Sequence, residues 1–344
     1  MTLTRVGLRD VTNAPPAQHI GVAKNGRKSV QKAQQAGGIA KPLSQTSQPG
    51  KFEDHGATSS SISVVDASRP TTAPGTIPQP SADDPQNATE YAKVIYEYLR
   101  KREEDPTLRV PNASFLDDQA EISSRMRGIL LDWLVEVHYK FKLSPETLYL
   151  CINLIDRFLH IDRKMPRKKL QLVGGTCMLV ASKYEEFRPP EVGDICYIMD
   201  NAYSRDEILE MEVRILNTLK FEVTVPSALQ FLEYYVKEAG ISRADAHFFL
   251  CQYLVETTLL SPKFLKYKPS ELAASSLYLA NRIRKEYIPW PQKLYEITKL
   301  KEQDFVKPLA KEIFEMIPGF KGKSLFKKYS MEKYGSVAPT IPSQ

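Results

Sequence analysis

The sequence predicts an all-α fold in which two similar helical domains follow one another behind a tail that has no core of its own. Three observations predict it. From about Asn87 onward apolar residues recur with a period near 3.6, and nothing alternates as a half-buried strand would. Helix-start residues punctuate the same region throughout. A pattern also occurs twice: GGTCMLVASK at 174–183 and AASSLYLANR at 273–282 each place two small residues before an apolar stretch, then Ala before a polar and a basic residue. Small residues let a helix approach its neighbours closely, so each unit is expected to bury one helix among several.

Residues 1–88 contain one aromatic, Phe52, among repeated Pro, Ser, Thr, Gln and Gly. Such a segment cannot bury enough apolar surface to offset an ordering cost of ~1–2 kcal/mol per residue, so a disordered regulatory tail is expected. Thr89 is placed to cap a helix running through Arg100. The next helix reads MRGILLDWLVEVHYKF, with Met126, Ile129, Leu130, Trp133, Leu134, Val137 and Phe141 on one stripe and Leu131 and Val135 on a second. A helix apolar over more than half its circumference either sits centrally or leaves a side for a partner. Ser144 and Pro145 form an N-cap and N1 pair, and Pro166, Pro190, Ser204, Pro226, Ser242, Pro269 and Pro291 mark further starts. The two units join near 222–225. The expected divisions are a tail over 1–88, a helix and first domain over 89–224, a second domain over 225–320, and a C-terminal tail over 321–344.

Composition narrows the functional classes. The net charge of +6 over 344 residues is mild and interspersed, which argues against nucleic acid as the main ligand. Cys151, Cys177, Cys196 and Cys251 lie far apart in apolar helical contexts and read as small core residues, with no metal or disulfide role. No run of about eighteen apolar residues and no apolar N-terminal signal segment is present, so a soluble intracellular protein is expected. The sequons at Asn87–Thr89 and Asn112–Ser114 are then chance matches. GFKGKS at 319–324 has Ile317 where a phosphate loop requires its first glycine. His138, His160 and His247 are isolated and read as surface or capping groups, not as a base beside a nucleophile. No cofactor, metal, membrane or enzymatic role is expected.

MRGILLDWLVEV at 126–137, LIDRFL at 154–159 and LQLVGGTCMLVASKYEE at 170–186 resemble the first cyclin box of an A- or B-type mitotic cyclin, the B type being favoured. The resemblance covers roughly Tyr91 to Phe320. It implies two tandem five-helix cyclin folds preceded by an N-terminal helix. It also implies a non-catalytic subunit that binds and allosterically activates a cyclin-dependent Ser/Thr kinase, recruits its substrates and controls mitosis.

By the same resemblance, Lys183 and Glu212 hold the kinase, with Tyr91, Ile95, Tyr98, Phe221 and Val223 packing around them. Met126, Ile129, Leu130, Trp133, Glu136, Arg167, Leu170 and Gln171 match the patch that receives Arg-x-Leu motifs of substrates and inhibitors; the apolar stripe suits the Leu and Glu136 the Arg. Arg127 and Asp156 match a buried ion pair, with Leu172 in the core. Arg5, Leu8, Val11 and Asn13 resemble the destruction box read by the anaphase-promoting ubiquitin ligase, with Lys24, Lys28, Lys32 and Lys41 as acceptors within reach.

Arg27 with Lys28, and Lys327 with Lys328, are weak candidates for import signals, and nucleus and cytoplasm are both expected. Glu233 and Gln252 stand where animal B-type cyclins carry a basic phosphate pocket, so that pocket is expected to be missing or altered. Two other classes stay open. A cyclin-fold transcription factor would show a Cys-rich zinc ribbon and a strongly basic face. A transcriptional or other non-mitotic cyclin would lack the Arg5–Asn13 segment.

Overall fold

Why the chain buries one helix in its first unit is visible at two adjacent glycines. A Cβ on Gly174 would lie 2.7 Å from Leu130 Cδ1, and one on Gly175 would lie 2.7 Å from Met199 Sδ. Only hydrogen fits there, because packed atoms do not approach so closely.

The computed structural model describes residues 90–342, apart from 111 and 113. The tail over 1–88, Thr89 and the candidate degron residues Arg5, Leu8, Val11 and Asn13 lie outside the described residues. The described residues are all-helical: α1 Ala92–Arg102, α2 Ser124–Phe141, α3 Pro145–Ile161, α4 Leu170–Glu185, α5 Val192–Ile198 and α6 Arg205–Thr218, then α7 Ala228–Glu238, α8 Ala246–Leu259, α9 Pro269–Ile283, α10 Gln292–Thr298, α11 Lys307–Met316 and α12 Ser324–Tyr329. Helix α4 packs against α2, α3, α5 and α6, and α9 packs against α7, α8 and α11. The repeated sequence therefore occupies the central helix of each unit. In α9 the small residues Ala273, Ala274, Ser275 and Ser276 are all buried.

The starts follow local chemistry. Ser204 and Glu207 form a capping box at α6, and Pro145 and Pro269 occupy the first turns of α3 and α9. Several starts fall later than the sequence predicts, three of them as follows. Ser227, paired with Gln230, caps α7 beyond Pro226; Asp245 caps α8 beyond Ser242; and α1 begins after Tyr91 and runs on to Arg102. In the first two a side-chain oxygen nearer the helix takes the orphan N–H. Ser144 bonds Thr147 Oγ1 at 3.1 Å instead of capping the backbone.

Helix α1, grouped by sequence with the first unit, is docked on the second. Tyr96 stacks on Tyr234 with ring centroids 4.5 Å apart, and its hydroxyl donates to the carbonyl of Ile297 at 3.1 Å. Buried Glu103 accepts from Ser270 N at 3.0 Å and from Ser270 Oγ at 2.8 Å, at the start of α9. Burial holds the Glu103 carboxyl above the usual carboxylate range. The residues after Phe320, set apart as a tail, also fold back. Ser324 N donates to Asp132 Oδ1 on α2 at 2.9 Å, while Lys328 Nζ and the Tyr329 hydroxyl reach Glu256 on α8 at 2.8 and 2.7 Å.

Two histidines differ from their surface reading. His138 is buried with Nε2 at 2.7 Å from the Ser144 carbonyl, and burial pushes its pKa down to about 3. His247 is buried against Asn281 Oδ1 at 2.8 Å. Cys151, Cys177 and Cys251 are free and buried, and burial pushes all three thiols up, away from reactive thiolate. Among the described residues no helix is long and apolar enough to cross a membrane, and no group of three or more His, Cys, Asp or Glu is placed to hold a metal ion.

Candidate functional site

Lys183 ends α4 and Glu212 lies on α6, two helices that pack against one another. Lys183 Nζ bonds both Glu212 oxygens, at 2.6 and 2.8 Å, with the Lys side chain 44% exposed and the Glu 13%. Among the described residues the Lys183 end of the pair is open to solvent, while Glu212 is mostly covered. A chain of contacts extends from it. The Tyr184 hydroxyl and Thr224 Oγ1 are 2.6 Å apart, and Arg102, at the end of α1, reaches the Thr224 carbonyl at 3.1 Å and Glu222 at 3.3 Å. The tip of α1, the segment 221–224 and the ends of α4 and α6 thus share one face.

That face is strongly apolar for an exposed one. Tyr91, Ile95 and Tyr98 project from α1 and Phe221 from the 221–224 segment, all exposed, while Val223 is half-buried against the core. Sequence reasoning named none of four further exposed apolar residues, Val94, Tyr184, Val213 and Phe187, the last 95% exposed. Phe187, a large aromatic between Glu-Glu and Arg-Pro-Pro just past a helix end, was a legible signal. Large apolar side chains left exposed in such number are a feature of interaction surfaces.

Arg127 and Asp156 are also brought together. Arg127 Nε and Nη2 each lie 2.6 Å from an Asp156 oxygen, both residues are buried, and Nη2 also donates to the carbonyl of Leu259 in the second unit at 3.0 Å. Leu172 is buried as expected.

The eight residues assigned to the docking patch do not form an open groove. Leu130 and Leu170 are wholly buried, because Gly174 lets α4 close onto Leu130, and Met126, Trp133 and Gln171 show only their edges. Ile129, Glu136 and Arg167 remain half-exposed. Glu136 pairs with Lys140 at 3.4 Å, and Arg167 N donates to Glu121 at 3.1 Å. In the second unit Glu233 pairs with Arg243, and burial raises its pKa to about 7; Gln252 is buried.

Comparison with known proteins agrees with this architecture. The cyclin N-terminal domain matches residues 94–224 and the cyclin C-terminal domain matches 226–343. Cyclin-A1-1 of Oryza sativa subsp. japonica is 42% identical over 275 residues, covering 76% of this chain and 53% of that one. The G2/mitotic-specific cyclin-B of Arbacia punctulata is 42% identical over 265 residues, covering 76% and 63%. The crystal structure of a viral cyclin from herpesvirus saimiri shares the fold with a TM-score of 0.57 at 22% identity, over 64% of this chain and 94% of that one. The chain belongs to the cyclin family. Its matched part spans about half the length of three rice A1 relatives, 53–56%, and 76% of a fourth. The A-type and B-type relatives match equally, so the preference for the B type gains no support.

Proposed function

We propose that this cyclin binds and allosterically activates a cyclin-dependent Ser/Thr kinase through the face built around Lys183 and Glu212. The chain is not itself the enzyme. The carrying observation is the exposed apolar band of Tyr91, Ile95, Tyr98, Tyr184, Phe187 and Phe221 around an accessible ion pair. The band supplies buried area to a partner and the pair supplies orientation. Moving a kinase from 1:99 to 99:1 in favour of its working state needs about 5.5 kcal/mol of differential binding, which calls for such a broad, partly apolar interface. Docking would turn the kinase's regulatory helix so that its Glu meets the ATP-binding Lys.

Substrate and inhibitor recruitment through Arg-x-Leu motifs belongs to the same proposal. It rests on Ile129, Glu136 and Arg167 and on the edges of Met126, Trp133 and Gln171. A role in mitosis follows from the A- and B-type resemblance, and destruction through Arg5, Leu8, Val11 and Asn13 by the anaphase-promoting ligase would end it. Nuclear and cytoplasmic residence is proposed as well; of the two candidate import signals, the Lys327–Lys328 pair is weakened because Lys328 is buried on Glu256.

Mixing the purified protein with an inactive monomeric cyclin-dependent kinase should raise histone phosphorylation. Lys183→Ala with Glu212→Ala should abolish kinase co-purification while leaving circular dichroism unchanged. No activation by the unaltered protein would reject the proposal. Deleting residues 1–13 should prolong the protein's lifetime after anaphase, and unchanged turnover would remove the degron.

A further inference from the structure

A cleft of about 100 Å³ lies between the two cyclin units. Its apolar walls come from Tyr149 and Ile152 on α3 and from Phe264, Leu265 and Leu272 in the second unit, with Arg109 at the same cleft. An engineered apolar cavity of about 150 Å³ already admits benzene. This cleft is smaller but open on one side, so it can take one ring or one branched aliphatic group that is only partly enclosed.

The polar groups here are unevenly satisfied. Among the described residues, Nε and Nη1 of Arg109 are buried with no acceptor, and the Tyr149 hydroxyl is buried with no partner. Buried donors, charged ones above all, require acceptors. The carboxylates within reach are already taken. Asp156, which also lines the cleft, has both oxygens on Arg127, and Glu104, in electrostatic reach of Arg109, bonds Lys268 Nζ at 2.7 Å. Nε and Nη1 lie on different edges of the guanidinium, so each takes a single oxygen, and a charged carboxylate oxygen suits such a donor better than a neutral acceptor.

We propose that this cleft is a binding site for a small monocarboxylate bearing one ring or branched aliphatic group, its apolar part held between the two units and its carboxylate on Arg109. Such a ligand touches both cyclin units at once and so favours their observed arrangement. The site is independent of the kinase-binding proposal, since none of the residues proposed there contributes to it.

Phenylacetate and its neutral isostere phenylacetamide make the probe pair. Titrated into the full chain, phenylacetate is expected to bind with a dissociation constant of about 1 mM or tighter and to shift the methyl resonances of Ile152, Leu265 and Leu272. Phenylacetamide should bind about tenfold more weakly. Arg109→Gln, at a half-exposed position, should keep the melting temperature and erase the difference between the two probes. Absence of methyl shifts at about 10 mM phenylacetate, or equal binding of acid and amide to the unaltered protein, would overturn the proposal. Retention of the tenfold preference in Arg109→Gln would overturn the assigned role of Arg109.

Discussion

The Arg127–Asp156 and Lys183–Glu212 pairs are alike in length, each with a contact of 2.6 Å, and unlike in surroundings. The first is enclosed by both cyclin units; the second stands at a helix end with its lysine nearly half exposed. Enclosure raises the cost of losing one partner, because the survivor keeps its charge without water. Exposure removes that cost, because solvent replaces the partner and salt screens the attraction. One geometry can thus hold a fold in one place and stay available to another protein in the other.

The sharpest way to break this comparison is Arg127→Ala, which should lower the stability of the protein by ~3–5 kcal/mol in a urea titration. An unchanged midpoint would mean that enclosure does not matter here. Lys328→Ala extends the test to a third pair, equally enclosed, by stranding Glu256. A loss of about 3 kcal/mol is expected, with faster hydrogen exchange concentrated in α12.

His138 gives an enclosed site without an ion pair. Its folded pKa of about 3 lies below its ordinary 6.5. The unfolded chain therefore takes up a proton as pH falls through 6.5 while the native one does not. Its contribution is present above pH 6.5 and is lost downward toward pH 3, at up to about 1.4 kcal/mol per unit. Glu233, with its pKa raised to about 7, acts in the opposite sense, its contribution fading as pH rises through 7. His138→Gln should flatten the fall in urea midpoint between pH 6.5 and 5; an unchanged slope would remove His138 as its source. The smallest stability effect is expected for Lys183→Ala with Glu212→Ala, under ~1 kcal/mol, alongside complete loss of kinase binding. A large stability loss would show that this pair is structural after all.

The all-helical class, the central repeats and the enclosed pair of the first unit were legible in the sequence, since they rest on periodicity, on small residues in a helix and on motif resemblance. Burial within an apolar stripe was not. The pattern around Leu130 states that one side of α2 is apolar, but only the approach of Gly174 decides that Leu130 faces α4 and not a ligand. The docking of α1 on the second unit was illegible for a related reason. It is fixed by Glu103 meeting Ser270 and by Tyr96 meeting Tyr234 and Ile297, pairings far apart in the chain that no local pattern announces. The exposed ends of α4 and α6 yielded Lys183 and Glu212 by resemblance, whereas Val213 emerged only once exposure was known.

Helix α1 and its N-cap Tyr91 carry three of the aromatic and aliphatic side chains proposed to meet the kinase, yet the roots of this helix are in α7, the start of α9 and the end of α10. The remainder of that face is rooted in α4 and α6. A small hinge between the two cyclin units would therefore slide one half of the contact surface past the other, so any agent that sets the angle between the units also sets how well the partner's shape is met.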